Sequence, residues 1–120
     1  MINRVTILGR LVDTPDIRTT TAGTFYARAT IANEQIYKEK KHTNFVEVLA
    51  WGGLAQNFAN YCQKGRKILV DGRLEIKKNK QGETTYVNTT IIAENIDFLE
   101  NPKNNENPDY VEVNDENVEF

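Results

Sequence analysis

Flat aromatic side chains and fixed cations on one surface are what a nucleic-acid strand needs, because bases stack on the first and phosphates are neutralised by the second. This chain carries both types at positions that could share a surface. Phe45 and Trp51 stand six apart in a segment of period two, so alternation points them the same way. Tyr37, in a charged stretch, and Tyr86, late in the chain, are further candidate platforms. Lys38, Lys40 and Lys41 form one basic cluster and Lys77, Lys78 and Lys80 another, while Arg4, Arg10, Arg28 and Arg73 fall in β-rich runs from which they could reach phosphates. A base stacked on any of the aromatics would contribute roughly 1–3 kcal/mol.

The residues by themselves leave two readings of Phe45 and Trp51 open, as filler of an apolar core or as stacking platforms. Glu47, between them on the same face, argues that this face is at least partly wet. Tyr26 and Tyr61 read as structural or interface residues, Cys62 as a small buried hydrophobe, and His42 as a solvated loop residue. Catalysis finds little support: no Ser, Cys or His sits in a nucleophile motif, no Gly-rich loop has phosphate-cradle spacing, and the acids are scattered rather than paired. One cysteine and one histidine make neither a disulfide nor a metal site, so no cofactor or metal is expected.

The elements that must position these residues follow from periodicity and punctuation. A first strand is expected over 3–12, with Gly9 as a bulge or bend, and Asp13-Thr14-Pro15-Asp16 as a turn. A second covers 24–33, with Phe25, Ala27, Ala29 and Ile31 on one face. Glu34 to Thr43 has no apolar period and reads as an exposed loop or hairpin tip. A third strand covers 44–51. Leu54, Ala55, Phe58, Ala59, Tyr61 and Cys62 recur at helical spacing up to the Gly65 stop. A fourth strand over 67–76, a basic hairpin turn over 77–83 and a fifth strand over 84–93, extendable to Phe98, complete the body. Three strands, one short helix, then two strands is the element order of an all-β, five-stranded OB-fold Greek-key barrel, expected over 1–100.

Charge is divided along the chain. The net charge is −2, yet residues 1–99 hold 14 Lys or Arg against 10 Asp or Glu, and residues 100–120 hold only Lys103 against seven acids. Residues 101–120 contain too few apolar side chains to offset the entropy of ordering them and read as a disordered acidic tail. Its tip, Asp115, Glu116, Val118, Glu119 and Phe120, combines carboxylates with a terminal aromatic that could dock into a basic, apolar pocket of a partner protein. No apolar run is long enough to cross a bilayer and the N-terminus lacks secretory-signal features, so a cytoplasmic protein without membrane association is expected.

Several segments together resemble the bacterial and phage single-stranded DNA-binding protein family, over roughly residues 2–99 and again at the C-terminal tip. They are Asn3-Arg4-Val5-Thr6-Ile7-Leu8-Gly9-Arg10-Leu11 with Asp16-Ile17-Arg18, the run Phe45-Val46-Glu47-Val48-Leu49-Ala50-Trp51-Gly52, Leu54-Ala55-Gln56-Asn57-Phe58-Ala59, and Lys64-Gly65 leading to Val70-Asp71-Gly72-Arg73-Leu74. The resemblance implies single-stranded DNA as the ligand, with base stacking on Phe45 and Trp51 and a further stacking aromatic near Ile36-Tyr37. It also implies a homotetramer paired partly through the N-terminal strand, and a tail that binds replication, recombination or repair proteins. Three features depart from the pattern. Asn79 stands where a stacking residue is common, the linker is short, and the tip keeps its acids and Phe120 without the usual preceding proline.

Overall fold

The computed structural model describes residues 1–99. Its elements are β1 (Val5–Leu11), β2 (Asp16–Thr19), β3 (Phe25–Tyr37), β4 (Lys40–Trp51), α1 (Gly52–Tyr61), β5 (Lys67–Gln81) and β6 (Thr84–Phe98). The strands form one sheet in the order β1-β5-β6-β4-β3-β2, and a further β1–β3 pairing closes it into the expected OB-fold barrel. All neighbours are antiparallel except β4 and β6, which run parallel. Closure relies on β1 changing partners: it pairs with β5 from Val5 to Arg10, then meets β3 at Arg10 and Leu11.

Alternation sorts the side chains. Ala27, Ala29 and Ile31 of β3, Val48 and Ala50 of β4, Ile68 and Val70 of β5, and Ile91, Ala93 and Ile96 of β6 point inward and form one buried cluster with Leu11. From α1, Ala55 and Phe58 join it, followed by Cys62. Ala27 and Ala50 are register partners, both fully buried, and small side chains at this end of the narrow barrel leave the space that Phe58 fills. No polar or charged residue is buried among those described. Cys62 is a core thiol as expected, and burial pushes its pKa up to about 11, which leaves it protonated and unreactive near neutral pH. Phe25, expected on the core face, lies at the strand end and remains partly exposed.

Three segments differ in whole or in part from the sequence expectation. Asp16–Thr19 is a short edge strand on β3 rather than turn and loop, so the helix follows the fourth strand instead of the third. Of the two readings open for Glu34–Thr43, a loop or a hairpin tip, the structure has the hairpin: β3 and β4 pair without interruption to Tyr37↔Lys40, and only Lys38 and Glu39 form the turn. Both have positive φ, 51° and 66°, the backbone that a two-residue hairpin of type I′ demands and that costs non-glycine residues about 1 kcal/mol or more each. Residues 77–83 are likewise mostly strand, β5 reaching Gln81 and turning at Gly82-Glu83. Ladder hydrogen bonds and a tight turn suffice to hold these two arms. With both faces in water, neither arm shows the apolar period from which strands are read.

The bulge that re-aims a strand sits at Asp71/Gly72 opposite β6 and not at Gly9, where the β1–β5 register runs straight through. Gly9 serves closure instead, since a Cβ there would lie 2.6 Å from the Ala32 carbonyl oxygen across the seam. At Gly72 a Cβ would overlap the Ile92 carbonyl, a backbone group held in the ladder. Gly72→Ala is therefore expected to destabilise the barrel by about 1–3 kcal/mol, read as a lower midpoint of thermal unfolding by circular dichroism. An unchanged midpoint would mean that the β5–β6 crossing has slack at the bulge.

Candidate nucleic-acid interface

The face of β3 and β4 turned away from the core carries the candidate chemistry. On β4 it presents Phe45, Glu47, Leu49 and Trp51, and on β3 their register partners Ala32, Thr30, Arg28 and Tyr26. Phe45 is 67% exposed and Trp51 45%, which excludes the core-filler reading of both. At a rise of roughly 3.3 Å per residue the two aromatics stand about 20 Å apart along one strand. Trp51 has a neighbour that sequence reasoning assigned elsewhere: the Tyr26 ring lies 5.3 Å from it, centroid to centroid, tilted by 38°. Tyr26 thus adds a second flat ring beside Trp51. The signal was latent in the alternation, because a turn placed at Lys38-Glu39 carries Tyr26 opposite Trp51.

β5 and β6 extend this face. Register carries Arg28 through Leu49 and Ile92 to Arg73, and Thr30 through Glu47 and Thr90 to Glu75, two parallel rows crossing four strands. Tyr86, half-exposed, shares the outward side with Lys77 and stands opposite Asn79. Asn79 therefore occupies a place beside Tyr86 where a flat side chain could have continued the platform.

The expected cations distribute unevenly. Lys77 and Lys41 lie on the outward face by alternation, whereas Lys78, Lys80 and Lys40 point to the other side of their ribbons. Lys38 occupies the hairpin turn with its ammonium 5.4 Å from the Tyr37 ring centroid. Tyr37 itself falls on the side opposite Phe45, and there Gln35, Tyr37, Lys38, Lys40 and His42 surround a concavity of about 550 Å³. His42 meets Asn44 Oδ1 at 3.2 Å. Arg10 lies beside Ala32, the register partner of Phe45, and donates from Nη1 to the Gly65 carbonyl at 3.0 Å. Arg10, Phe45, Glu34 and Lys64 line a groove of about 450 Å³. Lys64 escaped the sequence reading, since only barrel closure brings the residue after α1 next to β1. Arg4 is held by Asp71 at 3.1 Å on the β1–β5 side, away from the β3–β4 hairpin.

Ion pairs run across the whole surface. Arg28 Nε lies 3.3 Å from Glu47 Oε2, Arg73 3.8 Å from Glu94, Lys77 3.7 Å from Glu75 and Lys41 3.4 Å from Glu34. Thr90 Oγ1 donates to Glu47 Oε1 at 2.8 Å. Among the described residues no group of three or more His, Cys, Asp or Glu could hold a metal, and no helix is long and apolar enough to cross a membrane. What remains is an open sheet face with separated aromatics and paired cations, a geometry that can hold an extended chain of flat rings and phosphates.

The model of the single-strand binding protein family matches residues 2–99. Single-stranded DNA-binding protein 2 of Listeria monocytogenes is 36% identical over 110 residues, covering 88% of this chain and 68% of the relative. Single-stranded DNA-binding protein A of Bacillus subtilis is 37% identical over 109 residues, covering 87% of this chain and 62% of the relative. Among solved structures, the Plasmodium falciparum SSB in complex with ssDNA superimposes with a TM-score of 0.76 at 23% identity, over 83% of this chain and 96% of that one, and so shares the fold. With the family match spanning the whole barrel, the chain belongs to the single-strand binding protein family, whose members bind rather than catalyse.

Proposed function

We propose that this protein binds single-stranded DNA without sequence preference, stacking bases on Phe45 and on the Trp51–Tyr26 pair while cations of the same face meet the phosphates. The observation that carries this reading is the exposure of two aromatics on one sheet face of a chain in this family. Tyr86 with Lys77 extends the path onto the β5–β6 ribbon. Tyr37 with Lys38 and Lys40 receives the strand on the reverse side of the β3–β4 ribbon, and Arg10 and Lys64 line the groove beside Phe45. Stacking suits any base, whereas a duplex hides its base faces.

The same reading extends to assembly and recruitment. Leu8, Leu74, Ile76 and Val87 are apolar and at least one-third exposed, which supports burial between subunits of a homotetramer. The division of the chain into a barrel over 1–100 and an acidic tail over 101–120 rests on composition, since the tail lies outside the described residues. Its tip, Asp115 to Phe120, recruits replication, recombination or repair proteins, and the protein works in the cytoplasm.

Trp51 is the single tryptophan, so its fluorescence reports on the site directly. Titration with oligo-dT is expected to quench it, less so at higher salt, while duplex DNA leaves it unchanged. Tight binding without quenching would remove Trp51 from the stacking path. Trp51→Ala and Phe45→Ala should each weaken binding by roughly 1–3 kcal/mol, alike on oligo-dT and oligo-dC, as followed by anisotropy of a labelled strand. Wild-type affinity in both variants would refute the stacking assignment. Removing Asp115 to Phe120 is expected to leave affinity unchanged or raise it, because carboxylates compete with phosphates for the same cations. A large loss would instead make the tail part of the DNA site.

A further inference from the structure

The centre of the proposed DNA face is not simply cationic. Between the Phe45 row and the Trp51 row, β3 and β4 place one cation outward among the described residues, Arg28, and it is already occupied by Glu47. Glu47 is held at both oxygens, by Arg28 Nε at 3.3 Å on Oε2 and by the Thr90 hydroxyl at 2.8 Å on Oε1. Its side chain is 35% exposed and that of Arg28 56%, so water screens the pair only in part. The other acids of the face, Glu34, Glu75 and Glu94, meet Lys41, Lys77 and Arg73 at 3.4, 3.7 and 3.8 Å, and none lies between the two aromatics.

A strand stacked on Phe45 and Trp51 must carry its backbone across the roughly 20 Å between them, over Arg28 and Glu47. A carboxylate anchored at both oxygens cannot swing aside freely as a phosphate arrives. The incoming phosphate has either to take Arg28 from Glu47 or to lie close to a second anion, and both oppose binding. We propose that Glu47 is a positioning residue that attenuates strand affinity: anchored by Thr90, it withholds Arg28 from the phosphates and keeps the complex readily reversible. Reversibility of this kind suits a protein that must be displaced from the strands it covers. The inference rests on the DNA-binding reading above.

The test uses the full chain and Trp51 fluorescence, with oligo-dT and oligo-dC of one length at several salt concentrations. It compares the wild type with Glu47→Gln, Arg28→Gln and the double variant. Glu47→Gln is expected to tighten binding roughly tenfold on both oligonucleotides and to steepen the dependence of log K on log salt by about 0.7, one added phosphate contact. On the Arg28→Gln background the same change should gain several-fold less, because no cation is left to release. Unchanged or weaker binding by Glu47→Gln overturns the proposal. An equal gain on both backgrounds also overturns it, by making Glu47 a bare charge, and so does a loss confined to oligo-dC, which would make the carboxylate an acceptor for the cytosine amine. Should Glu47→Gln melt below the wild type, Thr90→Val replaces it, removing one anchor: tighter binding supports the proposal and unchanged binding overturns it. A wild type that binds no single strand refutes the DNA-binding reading itself, whereas a wild type that binds beside a Glu47→Gln variant that binds no tighter refutes only this inference.

Discussion

The uninterrupted antiparallel register between β3 and β4, from Tyr26↔Trp51 to Tyr37↔Lys40, is the constraint on which both core and candidate site depend. Because side chains alternate, the pairing that buries Ala27, Ala29 and Ile31 against Val48 and Ala50 also turns Phe45, Glu47 and Trp51 outward. A slip of one residue would send Trp51 and Glu47 into a narrow barrel with no partner for the carboxylate, and would put Val48 and Ala50 in water. Register is thus fixed by the cost of burying the wrong face. The site needs no separate device to hold its aromatics in place.

Closure adds what a flat hairpin could not supply. β1 leaves β5 at Arg10 to meet β3, and this brings Arg10 and Lys64 to the groove beside Phe45 although both are distant from it in sequence. The bulge at Asp71/Gly72 inserts Glu94 on the β6 side and restores the inward direction of Ile96, so one ribbon serves both the core and the outer rows. α1 plugs the barrel end with Phe58. Each of these devices acts on the core, yet each also decides which polar residues become neighbours on the outside.

Much of this was legible in the sequence. Period two marked the buried stretches of β3 and β4, helical spacing marked α1, and the motif segments carried the family resemblance. Glu47 between two aromatics correctly marked their face as wet. The failures share one physical origin, that apolar periodicity reports burial and not strand. β2 and the outer halves of both ribbons are exposed on two sides, so Glu34–Thr43 and residues 77–83 showed no period although backbone pairing runs through them. That misreading had a consequence at the site. Treating the lysines as loop tips grouped Lys77 with Lys78 and Lys80, and Lys41 with Lys40, whereas strand geometry divides each group between two faces. Arg4, Lys64 and Tyr26 depend on pairing across strands, which no single segment encodes.

The electrostatics of the face follow from the same geometry. On an exposed sheet, outward residues diagonal to one another on neighbouring strands stand within reach of long side chains, and this sequence sets Arg28 beside Glu47 and Arg73 beside Glu94 in such places, while Lys77 meets Glu75 two residues along β5. Without counter-charges, the cations of this face, Arg28, Lys41, Arg73 and Lys77, would repel one another and destabilise the barrel before any ligand arrived. Pairing them with carboxylates removes that repulsion, at the cost of an anion wherever the proposed path would seat a phosphate. Exposed pairs such as Lys77–Glu75 contribute little and exchange readily with solvent ions, so they hardly hinder a strand. In the proposed binding mode, Arg28–Glu47, partly shielded and tied to Thr90, is the place where stability of the free barrel and affinity for the strand oppose each other directly.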